Sequence, residues 1–309
     1  MSTLAILCSG QGGQGPGMFA LTEGEAAAEP VFRAAAALLG ADPRALVASA
    51  EPGALHANRT AQILCCTAAL AAWACLGPRA APRRVVAGYS VGEVPAWSVA
   101  GAMTFDAALA VTAERADLMD AATPGPSAMA AVRGLSPANL ERVRGEAGVH
   151  VAIRNGPDQA VLAGSRDAMA RALAAAEAAG AAKVTAIPVA VPSHTPLLKA
   201  AAEAFAGRLR VREDVRRPAA RLLSGIDGAA VFDPRAGLQK LARAVAETVD
   251  WAACLEACRA AGATRAFELG PGASLARMMG GLLPERDCRS LADFRTLEGA
   301  AAWLREAED

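Results

Sequence analysis

The stretch Arg84-Val85-Val86-Ala87-Gly88-Tyr89-Ser90-Val91-Gly92-Glu93 decides how the chain is read. Its first half is a short aliphatic run, as in a buried strand. Gly88-Tyr89-Ser90-Val91-Gly92 then fits the pattern G-x-S-x-G, and a helical pattern follows. Such a pattern sets a serine on a sharp turn between strand and helix. The glycines remove Cβ atoms that would crowd that turn. The helix N-terminus aims N–H groups at any developing oxyanion. Five residues are a weak signal by themselves, because Gly and Ser are common, and the plain alternative is an ordinary turn. The flanking strand and helix give the match its weight.

Working outward, residues 4–8 are a second aliphatic run, ending in Ser9-Gly10-Gln11-Gly12-Gly13-Gln14-Gly15. This predicts a strand running into a flexible loop. Helical patterns cover residues 25–39 and 61–75. Strands alternating with helices imply a parallel sheet covered on both faces. The middle of the chain differs. Strands at 129–132, 149–153, 159–162 and 183–187 and helices at 137–146 and 166–179 follow the order β-α-β-β-α-β, a ferredoxin-like unit. Helices at 197–209 and 238–245 and strands at 221–223 and 265–269 then restore the parallel pattern. The expected fold class is α/β. It has a large α/β-hydrolase-like domain, residues 1–126 and 189–309, and an inserted ferredoxin-like small domain, residues 127–188. Thr123-Pro124-Gly125-Pro126 and residues 188–192 are the expected hinges.

Composition narrows the function. The chain has 309 residues, 53% of them hydrophobic, enough to bury a full core. Much of that fraction is Ala, the best helix former. Lys plus Arg and Asp plus Glu balance at 31 each, which leaves no basic surplus for a nucleic-acid partner. The first residues lack a basic flank and a long apolar core, so no signal peptide is expected. The longest apolar stretch is taken as residues 94–105, interrupted by Ser98 and Thr104 and short of the ~20 residues of a membrane span. No membrane partner and a cytoplasmic location are expected. Seven cysteines include no CxxC pair. Cys254 and Cys258 lie one helical turn apart with no His nearby, so buried thiols are expected rather than a metal site.

A serine nucleophile needs a base. The histidines are His56, His150 and His194. His150 abuts a strand and His56 lies in a loop-like stretch, and both read as structural. His194, in Pro192-Ser193-His194-Thr195-Pro196, follows a strand-like run and has prolines on both sides to restrict its backbone. Loops beyond strand ends carry the active sites of open α/β sheets, so His194 is the candidate base. No Asp or Glu stands out as its orienter, and a backbone carbonyl could hold the imidazole tautomer instead. The 11–15 loop lacks Walker and dinucleotide spacing, and a better use is an oxyanion-hole N–H. Arg115, on a helical run, reads alone as a solvated-face residue.

Together these pieces resemble the malonyl-CoA:acyl-carrier-protein transacylase family. The markers run in order along nearly the whole chain: Gln11-Gly12-Gly13-Gln14, Gln62, the Gly88–Glu93 turn, Arg115 before Met119, Asn155-Gly156-Pro157-Asp158-Gln159 with Gly164, His194, Ser224, and Phe267-Glu268-Leu269-Gly270-Pro271-Gly272. The resemblance implies that Ser90 is acylated with His194 as base, and that the N–H groups of Val91 and Gln11 form the oxyanion hole. It implies that Arg115 holds the malonyl carboxylate, a task suited to a planar, always-charged fork. Gln62 would line the same pocket. Malonyl-CoA is then the substrate and the phosphopantetheine-type thiol of an acyl carrier protein the acceptor, with no bound cofactor and no metal.

Within the family the chain looks most like the transacylase (epsilon) subunit of malonate decarboxylase. The cues are Tyr89 in the turn, Val191-Pro192-Ser193-His194, and Arg289-Ser290-Leu291-Ala292-Asp293-Phe294-Arg295-Thr296-Leu297. The carrier would then be the malonate decarboxylase carrier subunit. The alternative setting is fatty-acid or polyketide synthesis. Rivals of another class are a serine hydrolase or thioesterase and a non-catalytic complex subunit. Family members of fatty-acid synthesis usually have His at Tyr89 and Phe at Ser193. The smaller Ser193 leaves room for an α-methyl group, whereas Val91 goes more often with malonyl. The family's Gln upstream of Trp251 is here Ala244. Little is lost if that position acts through its carbonyl, and the orienting of His194 is in question if it acts through its side chain.

Overall fold

The residues at 4–8 are inaccessible to solvent on both faces, and that burial organises the large sheet. A strand covered on both sides reads as a continuous aliphatic run rather than an alternating one. The protein is described by a computed structural model for residues 3–51, 53–77 and 83–305. The outermost residues of the expected large domain, 1–2 and 306–309, lie outside the described residues.

The first part of the chain carries β1 (Thr3–Cys8), α1 (Glu29–Leu39), α2 (Pro43–Ser49), α3 (Asn58–Leu76), β2 (Arg84–Gly88), α4 (Glu93–Val99) and α5 (Phe105–Ala122). Next come β3 (Ser127–Arg133), α6 (Pro137–Ala147), β4 (His150–Gly156), β5 (Gln159–Ser165), α7 (Arg166–Ala178) and β6 (Lys183–Ile187). The last part carries α8 (Lys199–Arg210), β7 (Arg221–Leu222), α9 (Pro234–Arg243), β8 (Val249–Asp250), α10 (Trp251–Ala260), β9 (Ala263–Leu269), α11 (Ser274–Met279), β10 (Cys288–Ser290) and α12 (Leu297–Arg305).

One sheet is parallel, in the order β10-β9-β1-β2-β7. The register sets Cys8 beside Gly88 and Leu269. Three loops therefore leave one edge of the sheet together: the glycine loop, the serine turn and the Gly270-Pro271-Gly272 turn. Ligands of open α/β sheets bind outside such carboxyl ends.

The second sheet has the order β6-β3-β5-β4-β8. Its β-α-β-β-α-β run matches the ferredoxin-like expectation, with antiparallel pairs throughout that run. One strand was not foreseen. The two-residue β8 pairs parallel to β4, Ile153 opposite Val249 and Arg154 opposite Asp250. It comes from beyond the insertion and stitches the small sheet to the main body. Alternation along β3 and β5, and a register shift between Val151 and Ile153 in β4, split their side chains. Met129, Ile153, Val161 and Ala163 join the main core. Ala130, Val132, Val151 and Leu162 pack with Val143 of α6 and Met169 of α7 in a second core.

Two helices start away from where their apolar pattern begins, for local reasons. α9 starts at Pro234, not at 238, because Asp233 caps it by accepting from the Arg235 N–H at 3.0 Å, with proline next. α1 starts at Glu29, not at 25, with Pro30 in its first turn. The longest apolar element is also not residues 94–105. α3 is long and apolar enough to cross a membrane by length and composition, and 78% of that window is buried inside the protein. All seven cysteines are buried.

Candidate active site

The serine turn is a strained backbone held by glycines. Ser90 has φ 56°, and His194 has φ 62°; among the described residues no other non-glycine residue is left-handed. Such conformations cost about 1–3 kcal/mol each and gather at functional sites. A Cβ on Gly88 would lie 2.1 Å from the Gly92 carbonyl oxygen, and one on Gly92 would lie 2.2 Å from the Cys8 carbonyl oxygen. No side chain fits at either position, so the turn closes tightly on β1.

The structure brings the two strained residues together. Ser90 Oγ lies 2.7 Å from His194 Nε2. His194 Nδ1 is hydrogen-bonded to the carbonyl oxygen of Ala244. That contact puts the ring hydrogen on Nδ1 and leaves Nε2 to accept from the serine hydroxyl. Ala244 follows the last residue of α9, where helix carbonyls lack an intrahelical partner. The His194 N–H donates to the neighbouring Val245 carbonyl at 2.9 Å, which anchors the strained backbone. The orienter is thus a main-chain oxygen, and the small side chain of Ala244 takes nothing from it.

Burial pushes the His194 pKa down to about 3; the Arg115 charge adds to this, and the Ala244 carbonyl opposes it. The ring is therefore neutral at any ordinary pH.

Arg115, which spacing alone would place on a wet face, is only 2% exposed. Its Nη1 donates to Gln62 Oε1 at 2.5 Å. Gln62, fully buried on α3, donates in turn from Nε2 to Asn58 Oδ1 at 2.8 Å. This relay from α3 to α5 fixes the plane of the guanidinium. Among the described residues no carboxylate lies within 4 Å of it. Burial lowers the Arg115 pKa to about 10, and the charge of Glu93 counters the drop. The group stays cationic at neutral pH, with its fork short of a counter-ion.

Glu93 itself is buried at the start of α4, and desolvation pushes its carboxyl up to about 7. Its Oε2 would lie 2.7 Å from a Cβ on Gly225. It stood at the end of the motif in the sequence, but its burial beside Ser224 and Gly225 had no sequence signal.

The glycine loop lies against the serine. A Cβ on Gly10 would lie 2.7 Å from the Tyr89 carbonyl oxygen and 3.6 Å from Ser90 Cβ, so Gln11 follows a point of direct contact. Val91 is the second residue of the short helical turn Ser90–Gly92, and first-turn N–H groups have no intrahelical acceptor. Gln14 braces the loop, donating to the Leu55 carbonyl at 3.2 Å and lying 2.9 Å from His56 Nδ1. His56 is thus part of the loop's scaffold, and His150 starts β4 away from the pair. Ser193 is buried beside His194, its hydroxyl 3.5 Å from the Val191 carbonyl.

These pieces can support acyl transfer: a hydroxyl on a base, amides at a helical turn, and a buried cation nearby. Known proteins agree. Residues 6–225 match the acyl transferase domain family. The malonyl CoA-acyl carrier protein transacylase of Escherichia coli (strain K12) is 32% identical over 281 residues, covering 88% of this chain and 90% of that protein. The crystal structure of an acyl-carrier-protein S-malonyltransferase from Burkholderia pseudomallei 1710b superposes with a TM-score of 0.88 at 32% identity, covering 98% of this chain and all of that one. A malonyl-transacylase solved in complex with a type II PKS acyl-carrier protein has a TM-score of 0.88 at 28% identity, covering 98% of this chain and 99% of that one. With its strained Ser90–His194 pair at the carboxyl edge of a parallel sheet, this chain belongs to the acyl transferase domain family and is an acyltransferase.

Proposed function

We propose that the protein moves a malonyl group from malonyl-CoA to the thiol of an acyl carrier protein, through a malonyl-Ser90 ester. The observation that carries this is Arg115: a buried guanidinium, oriented by Gln62, with no carboxylate of its own beside the Ser90–His194 pair. A buried charge is retained at a cost of several kcal/mol unless a partner arrives. A malonyl carboxylate supplies one in bidentate geometry.

The cycle is ping-pong. His194 Nε2 takes the hydroxyl proton as Ser90 Oγ attacks the thioester carbon. The oxyanion forms against the N–H groups of Val91 and Gln11. The C–S bond then breaks, and the imidazolium, a strong acid in its buried position, gives its proton to the departing CoA sulfur. In the second half the carrier thiol gives its proton to His194, its sulfur attacks the ester carbon, and Ser90 leaves with that proton.

The relatives' own names, one an acyl carrier protein transacylase and one solved with a type II PKS acyl-carrier protein, favour an acyl carrier protein of fatty-acid or polyketide synthesis, rather than a decarboxylase carrier, in our reading of the acceptor. The malonate decarboxylase carrier subunit is the second reading, resting on Tyr89, Ser193 and the 289–297 segment. We place the division between large and small units at residues 126/127 and 188/189, and the enzyme in the cytoplasm. The test is a transfer assay with labelled malonyl-CoA and the two purified holo-carriers. The expected result is label on the acyl carrier protein far faster than on the decarboxylase carrier or in free malonate. Faster release to water would identify a hydrolase instead, and preference for the decarboxylase carrier would reverse the choice of setting.

A further inference from the structure

Glu268 is an acid where the strand calls for an apolar residue. It lies in β9, 1% exposed, between the buried Phe267 and Leu269. Burying a carboxyl group without partners is costly, and here both oxygens are used. Oε1 accepts from Ser9 Oγ at 2.7 Å, and Oε2 accepts from the Ala276 N–H in the first turn of α11 at 2.9 Å. Ser9 is the first residue beyond β1 and stands two before Gln11. Its own N–H is held by the Leu269 carbonyl at 2.9 Å.

The surrounding turns are packed to the same point. A Cβ on Gly270 would lie 3.1 Å from Ser9 Oγ, and one on Gly13 would lie 2.6 Å from the Pro271 carbonyl oxygen. The glycine loop is thus pressed on the 270–272 turn at one end and on Ser90 at the other.

We propose that Glu268 is a positioning residue for the oxyanion hole: by clamping Ser9 to α11 it fixes the Gly10-Gln11 turn, and with it the Gln11 N–H. The inference rests on the proposed role of that N–H in the Ser90 reaction. The clamp holds in either charge state. An ionised Glu268 accepts the Ser9 hydroxyl hydrogen. A neutral one donates from Oε1 to Ser9 Oγ, whose hydrogen then turns to the Leu269 carbonyl, 3.0 Å away. The Ala276 N–H keeps its acceptor in both. A glutamine reproduces the neutral arrangement, with its amide nitrogen toward Ser9; an alanine cannot.

The test reads the ester carbonyl itself. Malonyl-CoA carrying ¹³C at the thioester carbon is used to form the acyl-enzyme, and the ¹³C=O stretch is recorded by difference infrared spectroscopy. A carbonyl polarised by oxyanion-hole donors absorbs at lower frequency. Glu268→Ala and Ser9→Ala are expected to move the band up and to lower kcat by about tenfold to a hundredfold, as for a misplaced reacting group, with KM within about twofold. Glu268→Gln is expected to keep both the band and kcat. Ser9→Ala serves as the second route should Glu268→Ala fail to fold. Alanine variants that label fully but keep the wild-type band, or that lose kcat without a band shift, overturn the inference alone, as does a Glu268→Gln protein whose band moves like that of Glu268→Ala. A wild-type protein that takes up no label overturns the acyl-enzyme mechanism and the inference with it.

Discussion

In the proposed cycle Arg115 is the residue that would separate malonyl transfer from generic acyl transfer. Truncating one partner of a buried charge pair costs about 2–5 kcal/mol. Arg115→Ala is therefore expected to lower kcat/KM for malonyl-CoA by roughly two to three orders of magnitude and to bring acetyl-CoA level with it. A surviving malonyl preference would remove Arg115 from the carboxylate site. His194 gives a second prediction. Its pKa is held down to about 3, so the ring stays neutral as pH falls through the range in which a free histidine protonates. Imidazole ¹⁵N shifts of labelled protein should show the Nδ1–H tautomer from pH 8 to pH 5, and an imidazolium signal at pH 6 would contradict the geometry. Ser193 is smaller than the Phe expected at its position, and Ser193→Phe should cut methylmalonyl-CoA turnover more than malonyl-CoA turnover if the smaller side chain makes room for an α-methyl group. At this scale the sequence was informative about residue type and blind to burial. Ser90 and His194 were legible because a motif and a short list of histidines pointed to them. Arg115 looked like a surface residue because helical spacing alone does not show which face is covered. Ala244 was out of reach in principle, since any residue type supplies the carbonyl that orients His194.

The elements most readable in the chain were those with the strongest local chemistry. β2 and β6 lie where the aliphatic runs place them, Arg84–Gly88 and Lys183–Ile187. α9 starts four residues before its apolar pattern, because the Asp233-Pro234 start signal lies ahead of the first buried positions. β8 and β10 were missed because two or three residues hold no periodicity. Their pairing is decided by partners distant in sequence. The serine turn is where element geometry and chemistry meet. Gly92→Ala puts a methyl group 2.2 Å from a β1 carbonyl oxygen. Backbone cannot move aside there without parting β1 from β2. The substitution should cost more than about 3 kcal/mol, as overpacking and strain add, and should abolish activity. Chemical denaturation checks the first and the malonyl-transfer assay the second; a folded, active Gly92→Ala would mean the turn is looser than described.

For the whole molecule, the insertion could be read in order from its strands and helices. How its sheet joins the main body could not, because β8 reaches back from residue 249 to pair with β4. Buried carboxyl groups also tie stability to pH across the molecule. Burial raises Glu268 from 4.5 to about 7, and Glu93 likewise. Between those values the folded state holds protons that the unfolded chain releases, so these groups make stability fall as pH rises from 5 to 8. His194 acts in the opposite sense below 6.5, where the unfolded chain binds a proton that the folded one refuses. Glu268→Gln should therefore lose less stability than wild type between pH 5 and pH 8, by on the order of 1–3 kcal/mol, in urea titrations at each pH. Equal pH slopes would show that Glu268 ionises normally in the fold. The central claim, that malonyl passes through Ser90, is tested most directly by intact mass after mixing with malonyl-CoA. The expected result is one added malonyl group on the wild type, lost on adding holo-carrier, and none on Ser90→Ala; an adduct that Ser90→Ala also carries, or no adduct on the wild type, contradicts it.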